Sequence, residues 1–497
     1  MSDQKTISHF PEIKEPLLIK RSSPGKNTRV CPAPFEHCAL HDLDPAEKLP
    51  DLPDVSEVET VRHFTRLSRL NYGIDHGMYP LGSCTMKYNP KISEDIAGRL
   101  QAIHPADSIA MNSILKYCQS LQRYLQEICG MDACCLWPAA GAHGELTGMM
   151  TIKKAIEKSG AAKNTVLIPD TAHGTNPSSC AIAGFTTKAI PSGEEGFLTA
   201  SILKDHLSQD VAALMITNPN TLGIFEREIA EIARLLHENG SYLYMDGANL
   251  NAIMGIARPS DMGVDCMHVN LHKTFGTPHG GGGPGSGPVL VTKELEPFLP
   301  APVIVQDDSG EYSLSWDLPD SIGMVHSCLG NVNVLIKALV YLLSLGADGL
   351  KDASIRASLN ANYLKSRLKK SFDLPFATPT LHEFVLSDRL QKAAEVTTMD
   401  MAKALMEFGF HPPTVYFPLV VSGAIMIEPT ETEPIEELDR FVQAMETIAR
   451  TSSEDPQSLH DTPRGCPVTR VDEVWAARNL LLTWSMNESK GEDLVSK

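Results

Sequence analysis

Several features that would indicate particular protein classes are scarce or missing in this 497-residue sequence. Basic residues are in the minority: 43 lysines and arginines face 61 aspartates and glutamates, which gives a formal charge of −18. Such a charge opposes binding to nucleic acids and to acidic membrane surfaces. We also find no run approaching the ~18 to 20 apolar residues that span a bilayer. We therefore expect no nucleic acid and no membrane among its partners.

Paired cysteine motifs are missing as well. The eleven cysteines are odd in number and scattered, and no two are spaced as CxxC. Cys134 and Cys135 lie in an apolar stretch, which is typical of small buried hydrophobic residues rather than ligands. The first residues mix acids with bases and contain no apolar segment, so we expect neither a secretory signal nor a transit peptide. Free thiols without an export signal predict a reducing, cytoplasmic location.

The length and a hydrophobic content of 42% predict a soluble enzyme with two or more domains. The first hundred or so residues are rich in proline and polar residues and predict an extended arm. From Pro105 onward, apolar residues recur at helical spacing as far as Gly130, a suitable C-cap. We expect three regions: an N-terminal arm and active-site segment over residues 1–104, a large cofactor-binding α/β domain over 105–330, and a small α+β domain over 331–497.

The middle region alternates short apolar runs with helical patterns, which predicts a mostly parallel sheet with crossover helices. The predicted strands are residues 165–168, 211–217, 242–245, 266–269 and 289–291. The predicted helices are 144–158 and 226–238, followed in the last region by 332–345, 398–408 and 435–448. Ligands of open α/β sheets bind beyond the carboxyl ends of the strands. Polar motifs placed just after these strands are therefore the candidates for a site.

Two such segments could bind an anion and a flat ring. Residues 138–148 read PAAGAHGELTG and lead into a helix, whose N-terminal N–H groups suit a phosphate. The segment lacks GxxxxGK[ST], and an ordinary tight turn fits the same pattern. His173 follows the strand that ends near residue 168 and could stack on a heteroaromatic ligand. A surface or structural histidine is the alternative.

Two others could supply a carboxylate and an amine. Asp246 ends an apolar strand, where a buried carboxylate needs a partner such as a protonated ring nitrogen; an N-cap is the alternative. Asn249 could reach a second polar atom. Lys273 lies in residues 268–288, HVNLHKTFGTPHGGGGPGSGP, where burial and neighbouring histidines suit a nucleophilic amine. A solvated loop lysine is the alternative, and this segment alone would favour it. The histidine spacing has no cysteine or carboxylate support, so we expect no metal.

Taken together, these segments match one ligand with a phosphate, a flat ring, a ring nitrogen that needs a carboxylate and an aldehyde that needs an amine. Pyridoxal 5'-phosphate has these four features, and its protonated ring acts as an electron sink. The glycines that follow Lys273 allow the backbone to approach such a cofactor closely. We therefore predict a pyridoxal-phosphate enzyme.

Longer motifs carry a family resemblance from about Arg66 to Asn479. Segments including DGANLNAIMG, PAAGAHGE, AHGTNP, NYGIDHGMYPLGSCTMKYNPK and MIEPTETE closely resemble the P-protein family of the glycine cleavage system, specifically its cofactor-bearing subunit 2. The resemblance implies the type I pyridoxal-phosphate fold, which is aspartate-aminotransferase-like. It also implies glycine decarboxylation with release of CO2 and transfer of the aminomethyl group to a lipoylated H-protein. A companion subunit 1 in an α2β2 heterotetramer is implied too.

The resemblance also implies roles by position. Lys273 would form the imine with the cofactor, Asp246 would pair with the pyridine nitrogen, and His173 would stack on the ring. Asn249 would approach the ring hydroxyl, and the residues near the phosphate would be Gly141, Ala142, His143, Asn270 and His272. Residues 71–91 would form an active-site wall or an arm that clasps a neighbouring subunit. Two other functions stay open: another type I enzyme acting on a small amino acid, such as an aldolase or desulfurase, and a non-catalytic scaffold subunit.

Overall fold

The computed structural model describes residues 15–23, 26, 52–100, 108–281, 283, 285–327, 329–466, 468–480 and 482. The chain separates into two compact units. One comprises Met1–Tyr72, Met406–Gly409 and His460–Lys497, and the other comprises Gly73–Leu405 and Phe410–Leu459. Most of the predicted arm before residue 52 lies outside the described residues, and the three-region division stays a prediction.

The first unit contains helix α1 (Glu57–Ser68). Ser56 and Glu59 form a capping box, in which each side chain accepts a hydrogen bond from the other residue's backbone N–H. The carboxylate of Glu15 bonds to His63 at 2.9 Å and accepts a hydrogen bond from Arg66 at 3.3 Å. These contacts hold the segment around Glu15 against the side of α1 that carries the buried His63.

The second unit is organised around a seven-stranded sheet. Its strands are β1 (Ala133–Cys135), β2 (Thr165–Pro169), β3 (Thr186–Ile190), β4 (Val211–Thr217), β5 (Tyr242–Gly247), β6 (Cys266–Val269) and β7 (Val289–Val291). Their order across the sheet is β1-β7-β6-β5-β4-β2-β3. The five strands from β6 to β3 are parallel, while β7 runs antiparallel to both β6 and β1. The predicted mostly parallel sheet is confirmed.

Burial explains why this sheet forms the core. All seven residues of β4, VAALMIT, are buried, because a central parallel strand is covered on both faces by helices. The helices of this region are α2 (Lys91–Gly98), α3 (Ser108–Cys129), α4 (Gly141–Ser159), α5 (Thr175–Ile182), α6 (Ala200–His206), α7 (Ile229–Glu238) and α8 (Leu271–Thr274). In α7, Ile229, Ile232, Ala233 and Leu236 are buried, and their helical spacing marks the face that packs on the sheet.

The other strands of the described residues form two smaller sheets. A hairpin joins β8 (Val303–Gln306) to β9 (Tyr312–Ser315), and a three-stranded antiparallel sheet contains β10 (Phe384–Ser387), β11 (Thr414–Val415) and β12 (Ala424–Ile427) in the order β10-β12-β11. The remaining helices are α9 (Val332–Leu368), α10 (Thr398–Glu407), α11 (Ile435–Glu454), α12 (Pro456–His460) and α13 (Glu473–Arg478). The small sheet and its helices match the predicted α+β pattern.

Helix α9 contains a break at Gly346, which has φ 62° and ψ −177°. Its first part, as far as Leu345, matches the predicted helix over 332–345, and a second helix follows without a loop. Among the described residues, α9 is the one helix long and apolar enough to cross a membrane by length and composition. It contacts α2, α3 and α11 and contributes Leu335, Ala338, Leu339 and Leu342 to the core, which is typical of a core helix.

Candidate active site

The polar residues singled out in the sequence lie at or just beyond the carboxyl ends of parallel strands of the large sheet. Asp246 lies near the end of β5, Lys273 lies in α8 just after β6, and His173 follows β2. Because these strands are parallel, their carboxyl ends lie at one edge of the sheet. Ten titratable groups there respond to the charge of Lys273: Cys84, Glu145, His173, Asp246, His268, His272, His279, His382, Glu383 and Glu428.

Asp246 is a buried and well-partnered carboxylate, 2% exposed. It accepts hydrogen bonds from the Ala248 backbone N–H at 2.9 Å and from Asn176 Nδ2 at 3.2 Å, and His268 Nε2 lies 3.3 Å away. Burial opposes its ionisation, but His268, Lys273 and these hydrogen bonds outweigh burial and lower the Asp246 pKa below its usual value. Asp246 is therefore ionised at neutral pH, as a partner of a protonated ring nitrogen must be.

His173 stands on the exposed side of this cluster. Its Nδ1 accepts a hydrogen bond from the Thr175 backbone N–H at 3.2 Å and lies 2.8 Å from Thr175 Oγ1. Burial, then the charge of Lys273, lowers the pKa of its ring, so the imidazole is neutral at neutral pH. A neutral flat ring at the open side of the site suits stacking on a cofactor.

The start of α4 forms a cradle bare of side chains. Ala140 is extended, with φ −161° and ψ 166°, and no side chain caps the helix. A Cβ on Gly141 would lie 2.4 Å from Asn270 Nδ2, so a larger residue here would displace Asn270 or the helix start. Ala142 is exposed on the first turn. Uncapped N–H groups at a helix N-terminus suit a phosphate.

The structure brings some of the predicted phosphate residues together. Asn270 Nδ2 lies 3.5 Å from His272 Nε2, and the Asn270 side chain also lies against Gly141. His143 is directed elsewhere: its Nδ1 accepts the backbone N–H of Ala139 at 3.1 Å, and its ring lies 6.4 Å from that of His326. These two contacts of His143 involve neither Asn270 nor His272.

His272 and His279 form a neutral pair beside Lys273. Their ring centroids are 5.0 Å apart in an edge-to-face arrangement. Burial, then the charge of the other ring, lowers the pKa of His272 to about 3, while burial, then Lys273, lowers that of His279 to about 4. Both rings are therefore uncharged at neutral pH and add no positive charge to the site.

Asn249 links the site to the small sheet. Its Nδ2 donates to the Pro219 carbonyl at 2.9 Å and to Glu383 Oε1 at 3.3 Å. Glu383 also accepts the Ser83 backbone N–H at 2.7 Å, and Glu428 accepts both the backbone N–H and the hydroxyl of Thr85, at 2.9 and 2.5 Å. Burial raises the pKa of Glu383 well above its usual value and also raises that of Glu428.

Residues 83–87, within the predicted segment 71–91, contribute directly to this site of the same chain. Ser83 and Thr85 have left-handed backbones, with φ 60° and 48°, and the two buried carboxyls hold them there. Between them Cys84 is close enough to Lys273 to respond to its charge, and burial raises the Cys84 pKa to about 11. These contacts favour the active-site wall predicted for the segment. Clasping of a neighbouring subunit stays a prediction.

Lys87 is a functional candidate that sequence reasoning did not single out. Its side chain is fully buried, and Nζ donates to Asn251 Oδ1 at 2.5 Å, Glu431 Oε1 at 2.6 Å and the Thr274 carbonyl at 3.0 Å. Thr274 follows Lys273 directly, so this buried ion pair supports the turn that carries the predicted imine lysine. The signal in the sequence was a lysine among apolar and aromatic neighbours, but its partners are more than 160 residues away.

The site carries buried polar atoms that have no partner within the described protein. They include Asn249 Oδ1, Asn270 Oδ1, His272 Nδ1, Thr277 Oγ1 and Ser286 Oγ. Buried polar groups are normally hydrogen-bonded, so such a set indicates that a polar ligand completes the site. An uncapped helix start, an ionised aspartate, a neutral ring and a lysine fit pyridoxal phosphate. The fold and this site together define a type I pyridoxal-phosphate enzyme.

Comparisons with known proteins place the chain more narrowly. A family model described as glycine dehydrogenase, C-terminal domain, matches residues 353–461, and one described as aminotransferase class-V matches residues 144–304. A probable glycine dehydrogenase (decarboxylating) subunit 2 from Caldanaerobacter subterraneus is 52% identical over 94% of this chain and 98% of the relative. A protein of the same description from Pyrococcus abyssi is 48% identical, covering 96% and 98%. The chain belongs to the family of glycine dehydrogenase (decarboxylating) subunit 2.

Solved structures agree on the fold. A crystal structure of glycine decarboxylase (P-protein) of the glycine cleavage system, in inhibitor-bound form, superposes with a TM-score of 0.67 at 20% identity, covering 83% of this chain and 93% of that one. A glutamate decarboxylase from Lactobacillus brevis superposes with a TM-score of 0.62 at 14% identity, covering 87% and 98%. At these identities the superpositions establish the type I fold, and the predicted fold class is confirmed.

Proposed function

We propose that this chain binds pyridoxal phosphate and decarboxylates glycine, passing the aminomethyl group to the lipoyl arm of an H-protein. The observation that carries the proposal is the position of Lys273, Asp246 and the Gly141 cradle at one edge of the sheet. A subunit 2 relative identical at 52% of positions over nearly the whole chain supports it. The scaffold alternative is disfavoured because the groups that would hold the cofactor are present and connected.

Each predicted residue then has a physical task. The Lys273 amine would hold the cofactor aldehyde, ionised Asp246 would keep a proton on the ring nitrogen, and neutral His173 would cover the ring. Asn249 Oδ1 and Asn270 Oδ1, which have no hydrogen-bond partner among the described residues, would be satisfied by the cofactor's polar atoms. When bound, pyridoxal phosphate supplies an electron sink for the bond between glycine Cα and its carboxylate.

The charges around Lys273 bear on decarboxylation. The described groups that respond to its charge are carboxyls, neutral histidines and a thiol. A cation clamped on the substrate carboxylate would stabilise the ground state more than the transition state, because carboxylate charge is lost as CO2 leaves. Decarboxylation therefore requires that no strong cation be clamped on the substrate carboxylate, in contrast to reactions of small amino acids that keep it.

The transfer half of the reaction needs a carrier and a companion. The electron pair left on the methylene carbon by loss of CO2 would bond to one sulfur of the lipoyl disulfide, the S–S bond would break, and the second sulfur would take a proton. The Lys273 amine would then replace the substrate amino group at the cofactor aldehyde and release the aminomethyl carrier. We propose that a companion subunit 1 joins this chain in an α2β2 heterotetramer and that the assembly works in the cytoplasm. Names of the relatives, which specify a subunit 2, support the need for a companion.

The test is exchange of labelled bicarbonate into the carboxyl group of glycine. The assay contains the chain, subunit 1 and lipoylated H-protein, and a Lys273→Ala variant serves as the control. Exchange that needs the carrier and disappears in the variant would support the proposal. No exchange in a preparation that binds the cofactor would instead favour another type I reaction on a small amino acid.

A further inference from the structure

A row of three side chains runs from the interior of the large domain to His173. Glu145 Oε1 lies 2.9 Å from Thr175 Oγ1, and the same Oγ1 lies 2.8 Å from His173 Nδ1. The second carboxyl oxygen of Glu145 accepts the Ser179 hydroxyl at 3.1 Å. Glu145 belongs to α4 and is 5% exposed, so the row connects a buried acid to a ring on the open side of the site.

The backbone determines where hydrogens lie along this row. The Thr175 N–H, which only donates, points at His173 Nδ1 at 3.2 Å, so Nδ1 accepts and a neutral ring carries its hydrogen on Nε2. The contact of 2.8 Å between Oγ1 and Nδ1 then needs the hydroxyl hydrogen between them. If the hydroxyl donated to an ionised Glu145 instead, two acceptors would face each other at that distance.

A proton on Glu145 removes the conflict. The carboxylic acid then donates to Thr175 Oγ1, and the hydroxyl donates to His173 Nδ1, so every polar atom in the row is satisfied. The groups that face Glu145 come from four elements: Tyr244 and Asp246 on β5, His268 on β6, Cys180 on α5 and Lys273 on α8. Burial, then the ionised Asp246, raises the pKa of Glu145 to about 8.

We propose that Glu145, in its protonated form and acting through Thr175, is a positioning residue that holds His173 as its Nε2–H tautomer. Loss of the proton would return the hydroxyl to the Glu145 carboxylate and release the ring. The inference concerns this chain's own residues and rests on the proposed function only where activity is measured. Its first test therefore uses the protein without cofactor.

The tautomer is measured by nitrogen NMR on histidine-labelled protein, with a His173→Asn sample to assign the signal. We expect Nδ1 to show the signal of an unprotonated ring nitrogen at pH 7 in the wild type and in Glu145→Gln, whose amide also donates. Thr175→Val, which removes the hydroxyl donor, should give mixed tautomers, and Thr175→Ser should keep the wild-type signal. Above about pH 8 the wild type, but not Glu145→Gln, should also give mixed tautomers, because an ionised Glu145 takes the hydroxyl. A protonated Nδ1 in the wild type at pH 7, or no change in both Thr175→Val and the wild type above about pH 8, overturns the proposal.

The second test compares pH profiles of kcat/KM for bicarbonate exchange in the complete system. The wild type should lose activity severalfold above about pH 8, as Glu145 ionises, whereas Glu145→Gln should lack this decline because its amide donates at every pH. Glu157→Gln is the matched control, since Glu157 is exposed on the same helix, and it should keep the wild-type profile. An unchanged alkaline decline in Glu145→Gln contradicts the proposal.

The two tests separate this inference from the proposed function. If no protein catalyses exchange but the tautomer depends on Glu145 and Thr175 as expected, glycine decarboxylation fails and the positioning role stands. If exchange occurs and the tautomer is the same in all variants, the reverse holds. A purely structural role for Glu145 would lower stability without altering the pH profile of the Gln variant.

Discussion

Nζ of Lys87 lies 3.0 Å from the carbonyl oxygen of Thr274, the residue that follows Lys273. The same ammonium pairs with Glu431 Oε1 at 2.6 Å, and the side chains of the pair are 0% and 8% exposed. Burial alone would lower the pKa of Lys87, but Glu431 and Tyr341 raise it, so the amine stays charged. A buried ion pair from two distant parts of the chain thus supports the turn that carries the predicted imine lysine.

We expect Lys87→Met to destabilise the protein by about 3–5 kcal/mol, because it leaves the Glu431 carboxylate buried without its partner. Urea unfolding measures the effect, and cofactor absorbance reports whether the Lys273 turn still forms the site. Lys91→Met is the matched control: its partner is Asp75, and both side chains are more than half exposed, so the cost should stay below about 1 kcal/mol. Equal losses in the two variants would contradict the role of burial.

The cradle at the start of α4 can be tested with a single methyl group. Gly141→Ala would place a Cβ 2.4 Å from Asn270 Nδ2, so either the helix start or Asn270 must move. We expect the dissociation constant for pyridoxal phosphate to rise by about tenfold or more, on the order of 1–2 kcal/mol. Titration followed by absorbance gives the constant. Gly73→Ala should not alter it, since a Cβ there makes ordinary contacts at 3.6 Å; an unaltered constant in Gly141→Ala would exclude the cradle.

The strands of the large sheet were the most predictable part of the fold. The predicted bounds of β4, β6 and β7 match the structure, since these runs are buried throughout and flanked by turns. Strand β3 was missed because it lies at the sheet edge and four of its five residues, TTKAI, are exposed. Helix α7 begins at Ile229 rather than at residue 226, because buried Glu226 instead accepts the Leu198 backbone N–H and the Asn220 amide.

The site was predictable where its residues follow strands, and not where partners come from distant segments. Asp246 lies near the end of β5, while Lys273 and His173 follow the ends of β6 and β2 within a few residues, so their common edge follows from parallel pairing. The roles of Lys87, Glu383 and Glu428 depend on contacts between residues 83–87 and the small sheet, with separations of about 300 residues or more. Hydrophobic periodicity describes only neighbouring residues and cannot predict contacts between such distant segments.

Asp246→Asn tests the electrostatic part of the site. Asparagine keeps the size of the side chain but removes the charge that would hold a proton on the cofactor's ring nitrogen, so the exchange rate should fall by about 10²-fold or more. Cofactor binding through Lys273 should survive and is checked by absorbance. Asp261→Asn, an exposed aspartate of the same unit, should keep the wild-type rate. Full activity in Asp246→Asn would rule out the ring-nitrogen role.

His382 provides a pH-dependent test of stability in the same region. It is fully buried, neither ring nitrogen has a hydrogen-bond partner among the described residues, and burial, then Lys273, lowers its pKa to about 3. The unfolded chain therefore binds this proton near pH 6.5 while the folded chain does not, so stability is lost as the pH falls from about 6.5 toward 3. Between pH 7 and pH 5 the loss from this residue is about 2 kcal/mol. Urea unfolding at the two pH values measures the free energy of unfolding. Between pH 7 and pH 5 that free energy should fall by about 2 kcal/mol less in His382→Asn than in the wild type. Equal decreases in the two proteins would show that His382 is protonated in the folded protein. The neighbouring carboxyls of Glu383 and Glu428, whose pKa values burial raises, act in the opposite direction in both proteins and cancel in the comparison.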